Sequence, residues 1–164
     1  MAKTLVLGLG NPILTDDGVG IHVARAAAAR CTRDDVAFTE ASVGGLRLLE
    51  IIADYDRLIM VDAIQTRGGK PGDVYRLGVD DLRTSLHVGS THDLSLHGAL
   101  NFGRNLGMAL PDNQAIAIIA VEVADVLTFG EKCTPAVAAA IPLAVDRVLD
   151  ELEGASSASL FAAP

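Results

Sequence analysis

Three acids and one histidine have residue types and surroundings suited to chemistry: Asp16, Asp17, Asp62 and His92. Asp16 and Asp17 follow the glycine-bearing stretch Gly8-Leu9-Gly10-Asn11-Pro12, and Asp62 closes the apolar run RLIMVDA. His92 follows Thr91, a helix-capping residue type, so the dipole of the helix it opens should keep the imidazole neutral, as ligation requires. One imidazole with two carboxylates is a nitrogen and oxygen donor set suited to nickel, zinc or iron, with coordination positions left open. Plainer readings stay open beside this one. Asp16 and Asp17 equally suit the cap of a helix beginning near Gly18, and Asp62 suits a bond to a neighbouring loop. His22 reads as a surface or satisfied helix residue, and His87 falls in a loop. His97 lies about 500° further round its helix than His92, so the two do not share a face.

Other catalytic arrangements fare worse. The sequence has no HExxH, no GxSxG elbow and no Walker loop. Ser42 precedes the pair Gly44-Gly45 without a nearby base. Cys31 and Cys133 read as structural or exposed bystanders, although a helix start after Cys133 would favour its thiolate. A dinucleotide reading takes Gly8 and Gly10 as the phosphate pair and Glu40 as the ribose acid. Ile13 stands where the third glycine belongs, and two adjacent carboxylates would repel a pyrophosphate.

The positioning elements follow from the apolar pattern. Short apolar or β-branched runs at 4–10, 36–40, 57–63 and 115–121 read as strands, with a more polar edge strand at 73–77. Helical spacing marks 19–30 and 46–53, and Thr91 caps a further helix to about Leu106. Thr134-Pro135 opens the last helix, which buries positions through Leu152 and carries Pro142 inside it. Strands that are apolar throughout, alternating with helices, imply a parallel sheet covered on both faces. The expected fold is a three-layer α/β/α sandwich, mostly parallel and five-stranded, with one antiparallel edge strand. One domain should span 1–153, with a flexible tail over 154–164. In such a sheet, ligands bind beyond the carboxyl ends of the strands where strand order reverses. Should strands one and three be neighbours, the acids of both loops meet in one crevice.

Composition narrows the partners. The chain has 164 residues, half of them hydrophobic, and a formal charge of −8. That hydrophobic content is enough for a full core and excludes disorder. The negative charge argues against nucleic acid, which demands clustered lysine and arginine. No run approaches the ~20 apolar residues of a membrane-spanning helix. The opening MAKTLVLGLG lacks the regions of a cleavable signal, and the cysteines form no CxxC pair. A cytoplasmic location with reduced thiols is therefore expected.

Together, LGLGNPILTDDGVG, GGLRLLE, MVDAI, THDLSL and CTPAV occur here in the order found in one family. Over about residues 4–152 the chain resembles the nickel-iron hydrogenase maturation proteases, endopeptidases that trim the C-terminal extension of a hydrogenase large subunit. The resemblance implies a metal-binding trio of Asp17, Asp62 and His92. Asp17 stands at a position that takes either Asp or Glu, and Asp16 at one commonly acidic but not counted as a ligand. Gly44 and Gly45 match backbone thought to shape the substrate cleft. The partner implied is a hydrogenase large-subunit precursor, with nickel supplied by that substrate and other divalent ions fitting the same site. Cleavage would proceed by polarisation of the scissile carbonyl or by a metal-activated water. A metal-free variant would use Asp16 or Asp62 as general base, in the manner of an aspartic-type endopeptidase. Rival expectations are a Rossmann-type oxidoreductase and a non-catalytic assembly chaperone.

Overall fold

The computed structural model describes residues 2–84 and 93–157. Its sheet is built from β1 (Thr4–Leu9), β2 (Val36–Ala41), β3 (Arg57–Ile64), β4 (Val74–Leu77) and β5 (Ile116–Glu122), in the order β2-β1-β3-β5-β4. The first four in that order run parallel, and β4 pairs antiparallel with β5 at the edge. The order reverses between β1 and β3, which are hydrogen-bonded neighbours with Gly8 opposite Val61.

Helices cover both faces. On one side lie α1 (Val19–Arg30) and α5 (Pro135–Ser157); on the other lie α2 (Leu46–Ile52), α3 (Val79–Thr84) and α4 (Asp93–Asn105). Alternate residues of β3 feed the two cores. Ile59, Val61 and Ala63 pack with Val19, Val23 and Val145, whereas Leu58, Met60 and Ile64 pack with Leu48, Leu49 and Leu100. β1 and β5 are buried along their whole length, which explains their unbroken apolar sequence.

The expected three-layer sandwich is the observed one. Two features lie outside the sequence reading. The six-residue α3 has polar VDDLRT as its sequence, without the periodicity that marks a longer helix. The last helix runs to Ser157, and the remainder of the expected tail, 158–164, lies outside the described residues.

Glycine makes the closest helix-to-strand approaches possible. A β-carbon at Gly20 would overlap the carbonyl oxygens of Val61 and Leu9, so the start of α1 sits directly over the β1–β3 junction. A side chain at Gly10, where φ is +137°, would collide with the carbonyl oxygen of Asp17. The glycine loop is therefore folded tightly upon itself before the acids begin.

Candidate functional site

The acids sit at the switch point between β1 and β3. β1 ends at Leu9, and the chain turns through Asn11–Leu14 into one turn of 3-10 helix, Thr15–Gly18. Ser42 secures the exit by donating its hydroxyl to the Gly10 carbonyl at 2.7 Å, and Gly10 N–H donates to Ala41 at 3.1 Å. Thr15 occupies the left-handed region at φ +52°, an uncommon state for a β-branched residue. It is held there by its N–H donating to Gly130 at 2.9 Å and its hydroxyl donating to the Thr128 carbonyl. Strain of this kind, about 1–3 kcal/mol, persists only where the surroundings over-determine it.

Asp16 and Asp17 are adjacent but have different surroundings. Asp16 is 0% exposed. Its Oδ2 accepts the N–H groups of Ala124 at 3.1 Å and Asp125 at 3.0 Å, and its Oδ1 accepts the N–H of Thr134 at 2.7 Å. The Thr134 hydroxyl donates as well, at 2.8 Å to Oδ2. Asp16 thus ties the loop after β1 to the exit of β5 and to the N-terminus of α5, where the helix dipole favours a negative charge. Asp17 is half-buried, and its Oδ2 accepts the N–H of Asn11 at 2.9 Å. Among the described residues its other oxygen has no hydrogen-bond donor. Neither acid caps α1, whose start has no side-chain cap, so the capping reading fails.

Asp62, 2% exposed, stands near the carboxyl end of β3, opposite Ala120 of β5. Its Oδ1 accepts the N–H of Ala63 at 2.8 Å. By alternation it shares the face of Met60 and Ile64, the side covered by α2 and α4. Asp62 and the loop that carries Asp17 thus leave neighbouring strands at the same end of the sheet. His92 and its cap Thr91 lie outside the described residues, as does His87; α4 begins at the very next residue, Asp93. Among the described residues no group of three metal-ligating side chains occurs.

Gly45 precedes α2 with φ +62° and has no atom within 4 Å of where a side chain would begin, so open space adjoins it. Gly44 beside it is half-buried. A carboxylate that sequence reasoning passed over is Glu122, 2% exposed at the end of β5. It accepts Thr66 N–H at 2.7 Å and the Thr66 hydroxyl at 2.9 Å, pinning the segment after β3. Its position in an apolar strand, as the last residue of AIAIIAVE, was the available signal.

The remaining candidates separate clearly. Glu40, the ribose acid of the dinucleotide reading, is held by Arg25 through two bonds of 2.6 and 2.8 Å. The glycine loop meanwhile is closed around Asp17, so the phosphate-binding reading loses both of its parts. Burial, aided by the Asp16 charge, pushes the Cys133 thiol up to about 11, which overrides the helix N-terminus and leaves no thiolate nucleophile at neutral pH. His22 is half-buried, and its Nε2 is buried without a partner among the described residues, so it is not the satisfied histidine expected. His97 makes a 3.2 Å contact from Nε2 to Asn101.

A family model described as hydrogenase maturation protease matches residues 21–151. The chain is 37% identical over 71 residues to the hydrogenase 2 maturation protease of Escherichia coli strain K12, an alignment spanning 43% of each chain. It is 28% identical over 153 residues to the hydrogenase expression/formation protein HupD of Rhodobacter capsulatus, covering 92% of this chain and 71% of that one. The solved hydrogenase maturating endopeptidase HybD from E. coli superposes with a TM-score of 0.80 at 30% identity, covering 93% of both chains. These matches overturn the aspartic-type assignment, since the family is defined by hydrogenase maturation and not by a carboxylate dyad. For Asp16 the geometry gives a physical reason: it is 0% exposed and both oxygens hold N–H or O–H donors, so no substrate water reaches it. With the family model covering most of its length, the chain belongs to the hydrogenase maturation protease family.

Proposed function

We propose that the chain is an endopeptidase that removes the C-terminal extension of a nickel-iron hydrogenase large-subunit precursor in the cytoplasm, after nickel has been inserted. The observation that carries this reading is that β1 and β3 are neighbours, so the loop bearing Asp17 and the strand end bearing Asp62 lie at one end of the sheet. Asp17 arrives from the loop after β1, Asp62 from the end of β3, and α4 starts directly after His92. Two carboxylates and an imidazole suit a borderline divalent ion and leave coordination positions open. Nickel here belongs to the substrate, and Asp17, Asp62 and His92 complete its coordination. That contact places the scissile peptide in the crevice beside Gly44 and Gly45. Bound there, the ion would supply Lewis-acid polarisation of the scissile carbonyl or of a water that attacks it. Asp16 contributes no proton transfer; it fixes the segment that carries Asp17.

The test incubates nickel-loaded and nickel-free precursor with the wild type and with His92→Ala. Shortening of the loaded precursor alone, lost in the variant, is the expected result. Equal cleavage of both precursors removes nickel recognition, and full activity of His92→Ala removes that residue from the site. Binding without any shortening on a gel identifies a chaperone instead.

A further inference from the structure

The loop from β5 to α5, residues 123–134, turns two large apolar side chains into solvent: Leu127 is 84% exposed and Phe129 81%. Ile13, from the loop after β1, is exposed as well, and its carbonyl accepts Gly130 N–H at 2.8 Å, which joins it to the same surface. A slack loop would fold such side chains inward. This one is fixed in place. Asp125 Oδ1 accepts Leu127 N–H at 3.0 Å and Thr128 N–H at 2.9 Å, and bonding by the Thr128 side chain first, then by these two N–H groups, holds its carboxyl below the usual carboxylate range. Thr15 bonds Thr128 and Gly130, and Asp16 clamps Ala124 and Asp125. Rigid apolar side chains held in water mark contact surfaces, where aromatic anchors carry much of the binding energy.

We propose that Leu127, Phe129 and Ile13 dock the folded body of the large-subunit precursor, seating in an apolar recess of that protein so that its C-terminal segment reaches the Asp17–Asp62 crevice. This inference rests on the endopeptidase reading above. Continuity is the first argument. The loop is hydrogen-bonded to the segment Ile13–Asp16, so a partner held there is in register with the residue that follows, Asp17. A scissile bond near a chain end offers few contacts of its own, so the energy to position it comes from remote parts of the substrate. Charge selects the occupant. Beside Ile13 opens a groove of about 450 Å³ edged by Arg25, Glu131 and Lys132, a mixed rim of the kind found around protein interfaces. Anionic lipid calls for clustered, unpaired lysine and arginine, whereas here Arg25 is paired with Glu40 and Lys132 stands next to Glu131. A second copy would bring the same negative charge to a patch of three side chains, far short of a stable dimer interface.

The experiment compares the wild type with the double variant Leu127→Ser/Phe129→Ser, measuring cleavage kinetics on nickel-loaded precursor and affinity for the full-length precursor. KM and Kd should each rise tenfold or more, with kcat within twofold and an unchanged thermal midpoint, because neither side chain is buried. The apolar control Leu127→Met/Phe129→Leu should stay within threefold of wild type. Unchanged KM and Kd in the serine variant overturn the proposal, as does a wild type that binds no precursor. A wild type that binds through this loop but never cuts refutes the endopeptidase reading and leaves the docking surface standing. Loss of a dimer in sedimentation, or of binding to phosphatidylserine vesicles, with precursor affinity intact, reassigns the patch and overturns the proposal.

Discussion

The two ends of the sheet hold their acids in different ways. At the amino end, acids meet arginines. Glu151 of α5 accepts Arg57 and Arg76 at 3.2 and 2.7 Å, and Arg33 pairs with Asp35 at 2.6 Å. At the carboxyl end, Asp16 and Glu122 are met by backbone N–H groups and threonine hydroxyls. Dipoles solvate a carboxylate without cancelling its charge. At the amino end arginines therefore offset Glu151 and Asp35, whereas at the carboxyl end Asp16 and Glu122 keep their negative charge. Such a contrast concentrates negative potential at one end of the sheet.

Substitutions can break this comparison. The largest effect should come from Asp16→Ala, which strands several buried donors at once; about 3 kcal/mol or more of stability should be lost, read as a urea midpoint. A wild-type midpoint would show that the clamp contributes nothing. Next, Glu122→Gln keeps the shape but loses the charge on the Thr66 bonds, and should cost about 1–2 kcal/mol. Arg76→Ala removes a largely exposed pair and should change stability by under about 1 kcal/mol, which a cycle with Glu151→Ala would isolate. A loss matching Asp16→Ala would erase the distinction between the two ends.

The smallest effect at neutral pH concerns Cys133. Its folded pKa of about 11 stands above the ordinary value of 9.0. Below about 9 both states hold the proton and the thiol adds no pH dependence. Between 9 and 11 the unfolded chain ionises first, so stability falls as pH rises. Urea midpoints at pH 8 and pH 10 should converge in Cys133→Ser relative to wild type, while cleavage at pH 8 persists.

Much of this was legible in the sequence because burial on both faces leaves an unmistakable apolar run. β1, β3 and β5 read directly from TLVLGL, RLIMVDAI and IAIIAVE, and α1 from its periodic valines and alanines. The condition set on the sequence, that strands one and three be neighbours, holds for β1 and β3. The division of labour between Asp16 and Asp17 was not readable. It depends on Ala124, Asp125 and Thr134, more than a hundred positions away, and nothing local distinguishes two consecutive aspartates. The outward Leu127 and Phe129 were equally silent, since an apolar residue in sequence reads as core until its neighbours are known. Cys133 misled for a related reason: the helix start was visible, but the burial that outweighs it was not.

The Asp16 clamp also orders events in time. A chain is made from its amino end, and domains fold as their parts become available. Asp16 is synthesised early, yet its partners at Thr134 follow 118 residues later. Until residues 124–134 have emerged, Asp16 lacks its distant donors and Thr15 lacks the Thr128 and Gly130 bonds that hold its left-handed backbone. During synthesis the segment beside Asp17 therefore receives its full set of hydrogen bonds only after Thr134 has left the ribosome.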